Sequence, residues 1–227
     1  MKRLLLVCLL VAGCRPADGG SQTTSKAPAR SAPAQSNDSA RADSILGVAD
    51  AGRIQGSPSA PVWLVEISDF QCPFCKRWHE EIYPVIKRDY IDKGIVKMAY
   101  VHLPLSMHPN AMPAAISSMC ASVQNRFWPL HDKLFSSQEK WAPMPNPAAY
   151  FDSLAVASGV NAASYRACTT DGTMRRLIAG DMERARSAQV RSTPTFFIGD
   201  EPILGVAPID TFRVVIERQR KKNKPSS

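Results

Sequence analysis

The feature that most constrains this chain is the stretch from Trp63 to His79, WLVEISDFQCPFCKRWH. An apolar, β-branched run from Val62 to Ser68 stops at Asp69, and Cys72-Pro73-Phe74-Cys75 then opens a segment of helical character. The run reads as a strand buried on both faces, as in a parallel or mixed sheet. The pair of cysteines has three readings. A structural zinc site usually needs four ligands, but there is one pair only, and His79, His102, His108 and His131 are scattered. A structural disulfide across so short a loop removes little entropy from the unfolded chain. A redox pair fits the placement. A thiolate at a helix N-terminus faces unpaired N–H groups and the positive end of the helix dipole, which lowers its pKa into the range of about 3.5–7.5.

The compartment agrees. Lys2-Arg3, an apolar stretch from Leu4 to Ala12, and Gly13-Cys14 make residues 1–13 a secretory signal, too short to span a bilayer. The sequence VAGC at Val11–Cys14 resembles the bacterial lipobox, in which cleavage leaves the cysteine acylated and N-terminal. The expectation is a lipoprotein anchored through Cys14, held on the extracytoplasmic or periplasmic side of a membrane in the cell envelope. Of six cysteines, Cys8 leaves with the signal and Cys14 carries lipid. Cys72, Cys75, Cys120 and Cys168 remain, an even number in an exported chain. Cys72 and Cys75 face each other at i and i+3, and Cys120 with Cys168 follows by elimination.

Residues 14–44 are rich in Ser, Ala, Pro and Gln, with no apolar period, and are expected to form a disordered tether. A flexible chain of that length spans roughly 30 Å. Residues 45–218 suit one domain, and 219–227 form a basic tail. The formal net charge is +8, but no aromatic residue interleaves with the basic run and no nucleic-acid motif surrounds it, so no nucleic-acid partner is assigned. After the first strand a helix is expected from Cys72 to Asp92, kinked at Pro84, then a strand over Ile95–Leu103. Pro109–Gln189 reads as Ala-rich helices broken near Pro143–Pro147, Gly159 and Gly172. Thr193–Gly205 reads as two short strands about a Gly-Asp turn, and Ile209, Phe212 and Ile216 stripe a closing helix. The order is β-α-β, a helical block, then β-β-α.

EISDFQCPFCKRW with STPTFFIG, supported by HPNAMPAAISSMC, FWPLHDKLF and SYRAC, resembles the DsbA-like branch of the thioredoxin-fold thiol:disulfide oxidoreductases. The resemblance covers about residues 60–216. It implies an α/β thioredoxin fold with a helical insertion over about 105–190. It further implies Cys72 as exposed nucleophile, Cys75 as buried resolving thiol, and Pro73 and Phe74 at the positions that tune them. Thr193-Pro194 would be the cis-proline loop whose backbone pairs with substrate. Glu66 would be the buried acid that exchanges a proton with Cys75; the alternative is an edge-strand side chain pointing to water. Cys120–Cys168 would be a second, structural disulfide. Trp128, His131 and Phe135 are expected to pack as core, and Met107, His108 and Met112 to line the core or a groove rather than bind metal.

The function implied is an extracytoplasmic disulfide oxidase acting on the thiols of exported proteins. It needs no cofactor and no metal, and a membrane redox partner reoxidises it. The tether holds no dimerisation module, so a monomer is expected. The reductive direction stays open, and so does a non-enzymatic copper-binding lipoprotein, since soft thiolates select Cu(I).

Overall fold

The computed structural model describes residues 35–223. The signal segment 1–13, Cys14 and the tether up to residue 34 lie outside the described residues.

Five strands form one mixed sheet in the order β1-β3-β2-β4-β5, with β1 Ile54–Gln55, β2 Val62–Ser68, β3 Val96–His102, β4 Thr195–Ile198 and β5 Glu201–Leu204. β2 is central, parallel to β3 and antiparallel to β4. Its largely apolar pattern follows from that position, flanked on both sides and fully buried on the face of Val62 and Leu64. The opposite face, expected to be buried too, is covered at Ile67 but open at Trp63, 40% exposed. Alternate residues of β2 serve different cores. Val62 and Leu64 join Val96, Met98, Phe196 and Ile198 beneath Trp78, Phe212 and Ile216. Ile67 faces the other way, toward Leu103, Ala185 and Val190.

β2 leads into α2, Pro73–Glu81, which is followed by a single turn α3, Tyr83–Ile86, and a π-helical turn, Lys87–Ile91. The helix expected from Cys72 to Asp92 is therefore three pieces. Pro84 has no N–H to continue the ladder, so the bonding restarts at Ile82, whose carbonyl accepts from both Val85 and Ile86 N–H.

The insertion between β3 and β4 holds α4 Ala111–Ser122, α5 Phe127–Ser136, α6 Gln138–Trp141, α7 Ala148–Ala157, α8 Ala162–Asp171 and α9 Thr173–Ser187. They close on a core that includes Met119, Phe127, Leu130, Leu134, Trp141 and Ile178. Cys120 on α4 and Cys168 on α8 are joined by a disulfide across 48 residues. His131 and Phe135 are buried while Trp128 is half-buried, and Met107, expected to line the core or a groove, is 77% exposed.

Two boundaries differ from the sequence expectation. Helix α1, Gln35–Gly52, begins inside the stretch read as tether. Its second half packs Ile45, Leu46 and Ala49 on the insertion core. The buried Arg53 just beyond it donates to Asp181 on α9, at 3.0 Å for one of the two bonds. Asp181 also accepts from His102 N–H at 3.0 Å, so one carboxylate joins α1, α9 and β3. At the other end α10, Ile209–Lys222, runs into the basic tail because Gln219 is buried and donates to Asp200 and Glu201.

Candidate active site

The site forms where β2 ends and α2 starts. Cys72 is the N-cap of α2, with extended φ −70° and ψ 123°, and Pro73 takes the first helical position. A proline costs nothing there, since that N–H has no helical acceptor and its φ is already set. The Cys72 sulfur sits against the Thr193–Pro194 loop, whose peptide bond is cis, and its thiol donates to Thr193 O at 3.4 Å. Both Cys72 and Cys75 are free thiols. The nucleophile expected to be exposed is only 3% accessible, because that loop lies over it. Phe74 is the residue that meets solvent, 54% exposed, with the Arg77 guanidinium 5.4 Å above its ring. Cys75 is fully buried.

The two sulfurs are electrostatically unequal. Hydrogen bonding from the Cys75 thiol, helped by the Thr193 side chain and the N–H groups of Cys75 and Phe74, outweighs burial and pulls the Cys72 pKa down to about 6. Burial, then the proximity of Cys72 and the charge of Glu66, pushes Cys75 well above the ordinary thiol value. One proton shared between two sulfurs at a helix N-terminus gives this split.

Beneath Cys75 the sheet carries a polar row. The parallel register sets Glu66 beside Tyr100 and Ser68 beside His102. All four are buried, and the Glu66 carboxylate oxygens, Ser68 Oγ, Tyr100 Oη and His102 Nε2 have no hydrogen-bond partner. Because β2 is central, Glu66 is enclosed rather than at an edge. Burial raises its pKa to about 8, against a small opposing pull from Ser68, so at neutral pH it is mostly a carboxylic acid. Burial lowers His102 to about 3, which keeps the imidazole neutral.

The insertion grips this corner. Gln138 on α6 donates from Nε2 to Phe70 O at 2.7 Å and to Cys72 O at 3.0 Å. Gln71 accepts from Asn110 N–H at 2.6 Å, and Asp69 accepts from Leu105 N–H and pairs with His108 at 2.7 Å. Sequence reasoning singled out neither Gln138 nor Ser68. The period-two alternation of β2 would have put Ser68 on the face of Glu66; nothing in sequence marks Gln138, whose partners are backbone carbonyls.

A family model described as Thioredoxin matches residues 49–218. Disulfide bond formation protein D of Bacillus subtilis is 27% identical over 173 residues, covering 74% of this chain and 77% of that protein. A putative protein-disulfide oxidoreductase of Rickettsia conorii is 28% identical over 178 residues, covering 78% and 63%. The crystal structure of oxidised BdbD from Bacillus subtilis superposes with a TM-score of 0.69 at 27% identity, over 75% of this chain and 94% of that one. Spanning the sheet, the insertion and the cysteine-bearing corner alike, these matches identify the chain as a member of the thioredoxin family, a DsbA-like thiol:disulfide oxidoreductase.

Proposed function

We propose that the protein is an extracytoplasmic disulfide oxidase that passes a Cys72–Cys75 disulfide to exported proteins. The observation that carries this reading is the inequality of the two sulfurs. A client thiolate attacks Cys72 Sγ and breaks the Cys72–Cys75 bond, and Cys75 leaves as a thiolate. With its pKa near 8, Glu66 holds the proton that Cys75 then takes up. A second client thiolate attacks the client sulfur of the mixed disulfide and expels Cys72. The client gains a disulfide and the enzyme holds the two electrons as a reduced pair. Expulsion is favoured because a thiol with a pKa of about 6 is a good leaving group, about nine-tenths ionised at pH 7. The same property stabilises the reduced enzyme and so makes its disulfide oxidising.

Thr193 presents backbone to the client chain, Pro194 holds that loop over the sulfurs, and Pro73 and Phe74 shape the turn between the cysteines. A membrane redox partner reoxidises the pair. The protein works as a monomer, tethered through acylated Cys14, and mass spectrometry of the mature N-terminus tests that anchor. Equilibration with glutathione buffers tests the direction. A potential nearer the roughly −120 mV of strong oxidants than the roughly −270 mV of thioredoxin supports the oxidase, and a value near −270 mV makes it a reductase.

A further inference from the structure

We propose that His79, His131 and Asp132 form a binding site for a divalent transition-metal ion of the zinc class, at the seam between the active-site helix and the insertion. The residues come from two elements. His79 lies on α2, one turn beyond Cys75, and His131 and Asp132 lie on α5. His79 Nε2 and His131 Nδ1 converge on one carboxylate oxygen, Asp132 Oδ1, at 3.0 and 2.9 Å. The three donor atoms all lie within 4.8 Å of one another, the one such group of three His, Cys, Asp or Glu residues among the described residues.

Two imidazoles and a carboxylate are ligands that suit zinc, which takes them at roughly 2.0–2.2 Å in tetrahedral sites. Tetrahedral bonds of that length separate donors by about 3.3 Å, so the two nitrogen–oxygen distances need to open only slightly. A surface cavity of about 570 Å³, lined in part by His79, Asp132 and Tyr83, gives a hydrated ion its approach and leaves room for water as the fourth ligand. Of the lysines on its wall, Lys87 is held by Asp92 at 2.5 Å; Lys133 is the other.

The far sides of the rings add a second observation. His79 Nδ1 and His131 Nε2 are buried without any hydrogen-bond partner, and His131 is fully buried. While the near nitrogens carry the protons for Asp132, the far nitrogens are bare acceptors with no donor to meet. Metal on the near nitrogens moves each proton to the far one. The His131 ring packs among Phe70, Tyr100 and Phe135 at interplanar angles of 71° to 84°, aromatic surroundings that accept an N–H better than they satisfy a bare acceptor nitrogen. Each ring keeps one proton, so binding needs no oxidant and releases none of the ring protons. A bound ion would cross-link α2 to α5 one turn from the resolving cysteine.

The test uses ZnCl₂ and full-length protein carrying Cys8→Ser, Cys14→Ser, Cys72→Ser and Cys75→Ser, so that no free thiol can bind the ion. Calorimetry should give one zinc per chain, and the thermal midpoint should rise with ZnCl₂. His79→Gln and Asp132→Asn, each first shown to melt cooperatively without metal, should weaken binding by about tenfold or more. Absence of saturable one-to-one binding overturns the proposal, as does binding that both substitutions leave unchanged. Should a substitution unfold the chain, Co²⁺ absorption of the parent decides. A tetrahedral nitrogen–oxygen spectrum supports the site, and an aqueous spectrum shows that the three residues are only a hydrogen-bonded group.

Discussion

Replacing Glu66 by Gln should make the protein's stability less dependent on pH, by an amount that the structure sets. The carboxyl is fully buried without a hydrogen-bond partner, and its pKa rises from 4.5 to about 8 on folding. A raised carboxyl pKa means the folded state holds a proton that the unfolded state has released. Its contribution is therefore intact below pH 4.5 and declines as pH climbs toward 8, by up to about 1.4 kcal/mol per pH unit. Between pH 4 and pH 7 the wild type should lose about 3 kcal/mol from this group alone, and about 5 kcal/mol by pH 9. Glutamine has the same shape and no proton to lose. Urea unfolding of both proteins at pH 4, 5.5, 7 and 8.5, with disulfides intact, isolates the effect, because other titrating groups cancel in the difference. The variant should gain about 3 kcal/mol relative to wild type from pH 4 to pH 7. A difference that stays constant across that range refutes the reasoning and places Glu66 among groups with an ordinary pKa. In thiol exchange the same variant should slow the steps in which Cys75 gains or loses its proton.

Cys75→Ser should accumulate covalent adducts with client proteins on non-reducing gels, because the buried thiol provides the fast exit from a mixed disulfide, whereas Cys72→Ser should accumulate none; the opposite pattern exchanges their roles. Cys120→Ala should lower stability by about 4 kcal/mol, the chain-entropy value for closing a loop of this length, and leave thiol exchange at low temperature unaffected, which thermal melts and peptide oxidation together check. Arg53→Met should cost about 3–5 kcal/mol in urea unfolding, since it strands the buried Asp181 charge; a loss under about 1 kcal/mol would mean that His102 N–H and Arg184 suffice for Asp181.

Sequence carried the architecture wherever local chemistry decides conformation. Val62–Ser68 is legible because a central, mostly buried strand has no polar alternation, Glu66 and Ser68 aside. Gly159 and Gly172, with positive φ of 86° and 77°, end helices that few other residues could end. The turn at Gly199-Asp200 is legible for the same reason, Gly199 having a φ of 60°. What was not legible depends on partners far along the chain. Helix α1 has large apolar residues only in its second half, and besides their packing its hold on the fold includes the Arg53–Asp181 pair, 128 residues apart. Strand β1 has two residues, too few to show any period. The site divides in the same way. Cys72, Cys75 and Pro194 carry residue types that announce their chemistry, whereas His79 and Asp132, 53 residues apart, looked scattered until α2 and α5 packed.

The two bonds from Gln138 bear on any attempt to pare this protein down to a minimal thioredoxin core. The Cys72 carbonyl already accepts the first helical bond, from Lys76 N–H at 3.1 Å, and Gln138 supplies a second donor to it. Phe70 O takes the other proton of the same amide. Excising the six inserted helices and splicing β3 to β4 would preserve the sheet and both cysteines on paper. It would also strip a donor from the peptide group of Cys72 and leave the buried Phe70 carbonyl facing a newly opened wall. The insertion is thus part of the scaffold of the turn, and a shortened version would have to rebuild that one amide before its cysteines could behave like the originals.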